Sequence, residues 1–153
     1  MAIMTREEII QLARSFNNLV DLVQWRAQHQ PDDDVILFLA DGESDEQHLT
    51  FAELDRRARA IGASLRSRAA PGERAVLLYP PGLDYVAAFF GCLYGGMVAV
   101  PAYPPDPFRL KRTLPRLLSI VADSHAAFVL TTSMVLSMTD LVFELAPGLR
   151  EKT

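Results

Sequence analysis

One cysteine, Cys92, stands among 153 residues, so no internal disulfide can form and a disulfide-stapled secreted scaffold is excluded. It falls in an apolar stretch with no activating His or Asp, so a small buried core residue is expected rather than a nucleophile. Histidine is nearly as scarce. His29, His48 and His125 are read as standing alone, each with a surface or turn role rather than catalysis or metal binding. No apolar run is long enough to cross a bilayer, because the longest, Val86 to Leu93, falls far short of the ~20 residues a helix needs. The N-terminus, Met1 to Glu8, is acidic and has no apolar signal core, so a cytoplasmic location is expected.

An excess of positive charge is also missing. The net charge is −4, and nucleic acid is not expected as a partner. The basic residues are scattered; the one run, Arg56-Arg57-Ala58-Arg59, fits a solvated helix face. Neither Gly-x-Gly-x-x-Gly nor Gly-x-x-x-x-Gly-Lys-Ser/Thr occurs, so neither of the usual glycine-rich phosphate cradles is present. The glycines of Gly91-Cys92-Leu93-Tyr94-Gly95-Gly96 fall at the end of an expected helix, where carbonyls repel phosphate. Close packing and a helix cap explain them. Ser64, Ser119, Ser124 and Ser133 lack a Gly-x-Ser-x-Gly context. The triplet Asp32-Asp33-Asp34 has no further ligand at metal spacing and reads as a turn.

What is present is a folding pattern. Half the residues are apolar and 22% are charged, as in a soluble domain with a core of its own. Residues 1–17 are weakly patterned and are expected as a helical or flexible lead-in. Asn18 reads as the cap of a helix ending before Pro31. Val35 to Leu39 and Gln47 to Thr50 flank an acidic turn, Asp41 to Glu46, and predict an antiparallel hairpin. That turn lacks the order of a calcium loop.

From residue 50 the order is helix, strand, helix, strand, helix, strand, helix. Thr50-Phe51-Ala52-Glu53 is a capping box. The helix it opens carries Phe51, Leu54, Ala58, Ile61 and Leu65 on one face. Arg74 to Tyr79 holds the unbroken apolar run of a strand buried on both faces. Leu83 to Tyr94 is apolar nearly all round, the pattern of a core helix, with Gly95-Gly96 at its end. Met97 to Val100 predicts the next strand and Ala102 to Phe108 an extended loop. Leu110, Leu114, Leu117, Leu118 and Val121 mark an amphipathic helix with Pro115 in its first turn. Ala127 to Leu130 is a strand, and Thr131-Thr132-Ser133 caps a helix through about Leu145, closed by Ala146-Pro147-Gly148. The fold class is α/β: a mostly parallel sheet with flanking helices, plus the antiparallel hairpin. Two segments could also face a ligand or partner, Thr131-Thr132-Ser133 and Tyr103-Pro104-Pro105-Asp106-Pro107; capping and a rigid connection explain them more simply.

The run Leu93-Tyr94-Gly95-Gly96-Met97-Val98-Ala99-Val100-Pro101-Ala102-Tyr103-Pro104-Pro105 resembles the fatty acyl-AMP ligases of the adenylate-forming superfamily. Arg116 to Asp123, Val129 to Thr132 and the entry Leu49 to Asp55 are similar as well. The resemblance covers about residues 18 to 150. It implies the N-terminal part of an acyl-adenylating domain, residues 18–153, incomplete and preceded by the 1–17 lead-in. It implies a reaction in which a fatty acid and ATP, with Mg2+, give an acyl-adenylate whose acyl group passes to an acyl carrier protein. The phosphate loop, the adenine and ribose contacts and the catalytic lysine of such enzymes match nothing here. No catalytic, cofactor-binding or metal-binding residue is therefore assigned to these positions, and this chain alone is expected to bind no cofactor and to be inactive. Two alternatives remain: part of an acyl-CoA ligase, or a non-catalytic docking module.

Overall fold

Polar caps set where the helices of this chain begin. The computed structural model describes residues 5–104, 106 and 109–138. Helix α1 (Arg6–Arg14) opens on a full capping box: the Glu8 amide donates to Thr5 Oγ1 at 3.3 Å and the Thr5 amide to Glu8 Oε2 at 2.7 Å. The lead-in is thus helical, and Thr5-Arg6-Glu7-Glu8 was a readable signal for it. Helix α2 (Leu19–His29) starts at Asn18, whose side chain accepts from the Asp21 amide at 2.9 Å. Phe16 meets Trp25 edge-on at 5.9 Å, which packs the end of the lead-in against α2.

Strands β1 (Asp34–Leu39) and β2 (Glu46–Thr50) form the expected antiparallel hairpin. Its turn is closed from within. The Asp41 carboxylate accepts from the amides of Glu43, Ser44 and Asp45 at 2.8–2.9 Å, which holds its carboxyl well below the usual range. His48 does not stand alone. Its Nδ1 lies 2.7 Å from Asp34 on the facing strand and its Nε2 lies 3.5 Å from Glu46. Strand pairing supplies the first partner and two-residue periodicity the second, so the sequence reading is corrected here.

Helix α3 (Phe51–Arg66) starts at Thr50, which accepts from the Glu53 amide at 3.2 Å. The Glu53 carboxylate is held by Arg57 instead of returning to the cap. Strand β3 (Arg74–Leu78) follows, then helix α4 (Leu83–Gly95), strand β4 (Val98–Ala102), helix α5 (Leu110–Ser124), strand β5 (Phe128–Thr131) and helix α6 (Ser133–Met138). The three strands are parallel in the order β4-β3-β5. The chain steps from β3 to β4 in one direction and from β4 past β3 to β5 in the other. With one crossover handedness, that reversal puts α4 and α5 on opposite faces.

The core follows from the alternation of β3. Val76 and Leu78 pack with Leu114, Leu117 and Val121 of α5 and Val135 of α6. Ala75 and Leu77 pack with Leu65 of α3 and Ala88 and Cys92 of α4. A third cluster, Val23, Leu49, Leu54, Ala58 and Tyr94, fastens α2 and the hairpin to the α3–α4 pair.

That pair touches through glycine. A Cβ on Gly91 would lie 2.4 Å from Ile61 Cγ2, and one on Gly62 would lie 2.9 Å from the Gly95 nitrogen. Around this contact the Tyr94 hydroxyl donates to Asp55 at 2.7 Å, Arg59 Nε donates to the other Asp55 oxygen at 2.7 Å, and Arg66 reaches the Tyr94 carbonyl at 2.6 Å. Gly96, at φ 73°, ends α4 in a Schellman motif. Its amide donates to Leu93 at 3.0 Å, and the Met97 amide donates to Cys92 at 2.8 Å.

Several boundaries differ from the sequence reading. Strand β4 runs on through Pro101 and Ala102, with Pro101 opposite Leu77. It is an edge strand, where a missing donor costs little. Pro115 is the sixth residue of α5 rather than part of its first turn. It sits on the exposed side, where water can serve the carbonyl whose helical bond it removes. The expected extension of α6 to Leu145 and its closing Ala146-Pro147-Gly148 lie outside the described residues.

Two outcomes follow. Gly91→Ala should lower stability by about 1–3 kcal/mol, because the clash reaches Ile61 Cβ and not just the end of a mobile side chain; a denaturant melt measures it, and an unchanged midpoint would refute the contact. His48 should titrate above its ordinary 6.5, raised first by its hydrogen bond to Asp34. Any hairpin stabilisation from this pair is complete below pH ~6.5 and fades as pH rises through the shifted value. Proton NMR of His48 in the Asp34→Asn variant should show the midpoint fall.

Candidate functional site at the carboxyl edge of the sheet

Because β3, β4 and β5 are parallel, their carboxyl ends share one edge. β3 runs into Tyr79-Pro80-Pro81, β4 into Tyr103-Pro104 and β5 into Thr132. Helix α4 leaves β3 on one face, and α6 leaves β5 on the other. Such a divergence opens a crevice between neighbouring strands, the usual ligand position in open α/β sheets.

Two cavities lie along this edge. One, of about 330 Å³, is apolar and is walled by Ile36 and Phe38 of the hairpin, Tyr79, Pro81, Tyr85 and Val86 on one side, and Ala102 and Tyr103 on the other. The second, of about 450 Å³, is mixed: Arg56, Arg57, Tyr79, Asp84 and Thr131-Thr132-Ser133 share its lining with Ala60, Ile61 and Ala87. Tyr79 belongs to both. Burial, assisted by Asp84 and Cys92, pushes its hydroxyl up to about 12.

The polar groups of the second cavity largely bind one another. Arg57 spans Glu53 at 2.5 Å and Asp84 at 3.3 Å. The Thr131 hydroxyl donates to the Leu78 carbonyl at 2.7 Å, and Thr132 Oγ1 accepts from the Val135 amide at 3.2 Å. The threonines therefore act as a strand tie and a helix cap, the simpler of the two readings of that triplet. Among the described residues no group of three His, Cys, Asp or Glu is placed to hold a metal ion. The described part of this edge also offers no glycine-rich cradle for a triphosphate, so it does not fit ATP and Mg2+ by itself.

The other sequence candidates lie elsewhere. Cys92 is fully buried between α4 and β3, and burial pushes its thiol up to about 11. His29 stacks on Trp25 at 4.4 Å, and His125 ends α5 at φ 49°. The Ser119 and Ser124 hydroxyls donate to carbonyls of their own helix, and the Ser64 carbonyl receives the Ser67 hydroxyl. Of the Pro-rich segment, Tyr103 is 81% exposed and Pro104 and Asp106 are half-buried, while Pro105 and Pro107 lie outside the described residues. The roles of Tyr79, Arg57 and Asp84 escaped sequence reading, because only the parallel register brings residues 57, 79, 84 and 131 to one place. The placement of Tyr79 at a strand end was the available signal.

A parallel α/β unit with an apolar cavity at its carboxyl edge is the frame of many ligand-binding enzyme domains, and the comparisons specify which. The AMP-binding enzyme family matches residues 23–152. The chain belongs to that family. It is 51% identical over 116 residues to the medium-chain-fatty-acid–[acyl-carrier-protein] ligase JamA of Moorena producens, which covers 76% of this chain and 20% of that protein. It is 42% identical over 125 residues to human Disco-interacting protein 2 homolog A, covering 80% of this chain and 8% of that protein. The fatty acid AMP ligase from Legionella pneumophila superposes with a TM-score of 0.77 at 35% identity, over 89% of this chain and 22% of that one. A fatty acyl-adenylate ligase from L. pneumophila, solved with acyl adenylate and pyrophosphate, gives 0.75 at 36% identity, over 88% and 22%. The recognised family is therefore the fatty acyl-AMP ligase branch, and the chain spans about a fifth of the length of JamA.

Burial makes a chemical forecast for Cys92. At pH 8 the native protein should resist alkylation by iodoacetamide and react fully once unfolded. Fast labelling of the folded protein, followed by mass spectrometry, would contradict its place in the core.

Proposed function

We propose that residues 18–153 of this chain belong to the acyl-adenylating domain of a cytoplasmic fatty acyl-AMP ligase, with residues 1–17 as a lead-in. The observation that carries the reading is the 51% identity to JamA, a ligase named for medium-chain fatty acids and acyl carrier protein. In the reaction, a carboxylate oxygen of the fatty acid attacks the α-phosphorus of ATP and pyrophosphate leaves. The thiol of a carrier-bound phosphopantetheine then attacks the acyl carbon, loses its proton, and AMP leaves. Magnesium and cationic groups offset phosphate charge in the first step. The acylated carrier feeds lipid, polyketide or lipopeptide assembly.

The contribution of these residues is architectural. They build the apolar cavity beside Tyr79 and Tyr103, whose size and lining suit part of an alkyl chain. Among the described residues no nucleophile, base or phosphate cradle gathers at this edge, which supports assigning them a structural part in the ligase. A second reading, a non-catalytic docking module, draws on the similarity to Disco-interacting protein 2 homolog A.

Radiolabelled ATP–pyrophosphate exchange tests the reading. The 153-residue chain should give no exchange with fatty acids of any length. A polypeptide joining it to the remainder of an acyl-AMP ligase should give exchange and then carrier-dependent transfer. Robust exchange by the short chain would sink the architectural role, and a joined protein that folds but never exchanges would favour the docking module.

A further inference from the structure

A third cavity, of about 400 Å³, opens on the other side of Tyr103 between the Pro101–Pro104 segment and α5. Its far wall carries Arg109, which precedes α5, and Arg112 and Arg116 of α5, with Leu117 and Ile120 beside them. At 100° per residue Arg112 and Arg116 fall about 40° apart on one face of α5, and from Arg109 to Arg116 the three positions span about 10 Å. All three are exposed. Arg109 is tethered to Asp106 at 3.8 Å. Among the described residues neither Arg112 nor Arg116 has a carboxylate within ion-pair distance. Residues 106–124 hold Arg109, Lys111, Arg112 and Arg116 against Asp106 and Asp123, in a chain whose net charge is −4. The scattering of basic residues along the sequence thus hides one concentrated cationic face.

We propose that this face is the docking surface for the acyl carrier protein, gripping a row of carboxylates on one of its helices; the assignment rests on the ligase reading above. The geometry favours a protein over a lone phosphate. The three arginine positions rise over about 10 Å of the helix axis, a spread that a row of acidic side chains at helical spacing matches one for one and a single phosphate does not. The composition is that of an interface centre: arginines beside a tyrosine that is 81% exposed, over an apolar floor. The groove is adjacent to the apolar cavity, since Pro101, Ala102 and Tyr103 line both. A carrier held here would therefore sit beside the cavity assigned to the alkyl chain.

Binding of purified, fluorescently labelled acyl carrier protein to the 153-residue chain tests this by anisotropy at 50 and 300 mM NaCl. The expected result is low-salt binding that weakens several-fold at high salt and about tenfold in the double variant Arg112→Glu/Arg116→Glu. Arg68→Glu, exposed and remote in sequence, should leave it unchanged. Thermal melts of the variants check that they fold. Equal binding by the double variant, or no binding by the unaltered chain, overturns the assignment. Arginine-dependent binding of a 20-nucleotide RNA without binding of the carrier also overturns it. The ligase reading stands or falls separately, on pyrophosphate exchange in the joined protein.

Discussion

The close approach of α3 and α4 is the constraint on which the rest depends. Two helices can come together over Gly62, Gly91 and Gly95 only because no side chain intervenes. Once there, they bury Cys92 and Ala88 against β3 on one side and Tyr94 against Leu49, Leu54 and Ala58 on the other. Among the described residues the hairpin and α2 are fastened to the sheet chiefly through this pair. Tyr94 joins the apolar and polar parts of the contact, since its ring is core and its hydroxyl is bound by Asp55. Burial and that bond raise its pKa well above the ordinary phenol value.

From that pair the geometry of the edge follows. Placing α4 against α3 fixes where Leu83 begins and hence how Pro80-Pro81-Gly82 turns away from β3. The hairpin, carried by the same assembly, contributes Ile36 and Phe38 to the apolar cavity. A cavity wall thus comes from a unit outside the parallel sheet.

Much of this was legible in the residues. The unbroken Ala75-Val76-Leu77-Leu78 run announced a strand covered on both faces, and Asn18 and Thr50 announced helix starts, because burial pattern and capping are local signals. Pro101 and Pro115 were misplaced for the opposite reason. A proline reads locally as a breaker, yet an edge strand or a solvent-facing turn tolerates it. His48 was taken as solitary, because its main partner, Asp34, is 14 residues away and becomes a neighbour only through strand register. The edge cavities were the least legible part. Tyr79, Asp84 and Thr131 carry no shared motif, and their meeting is a product of topology. The family resemblance, by contrast, lay in contiguous wording and needed no folding to be seen.

Pro101 gives the sheet a direction of growth. Proline in a sheet turns its nitrogen outward, so β4 presents an outer margin with one amide donor missing. A further strand arriving there would find a broken ladder. The opposite margin, β5, reads Phe128-Val129-Leu130-Thr131 and keeps every donor. Any enlargement of this sheet, by the same polypeptide or by another, is therefore steered to the β5 side, and one proline makes a three-stranded sheet polar in how it can be extended.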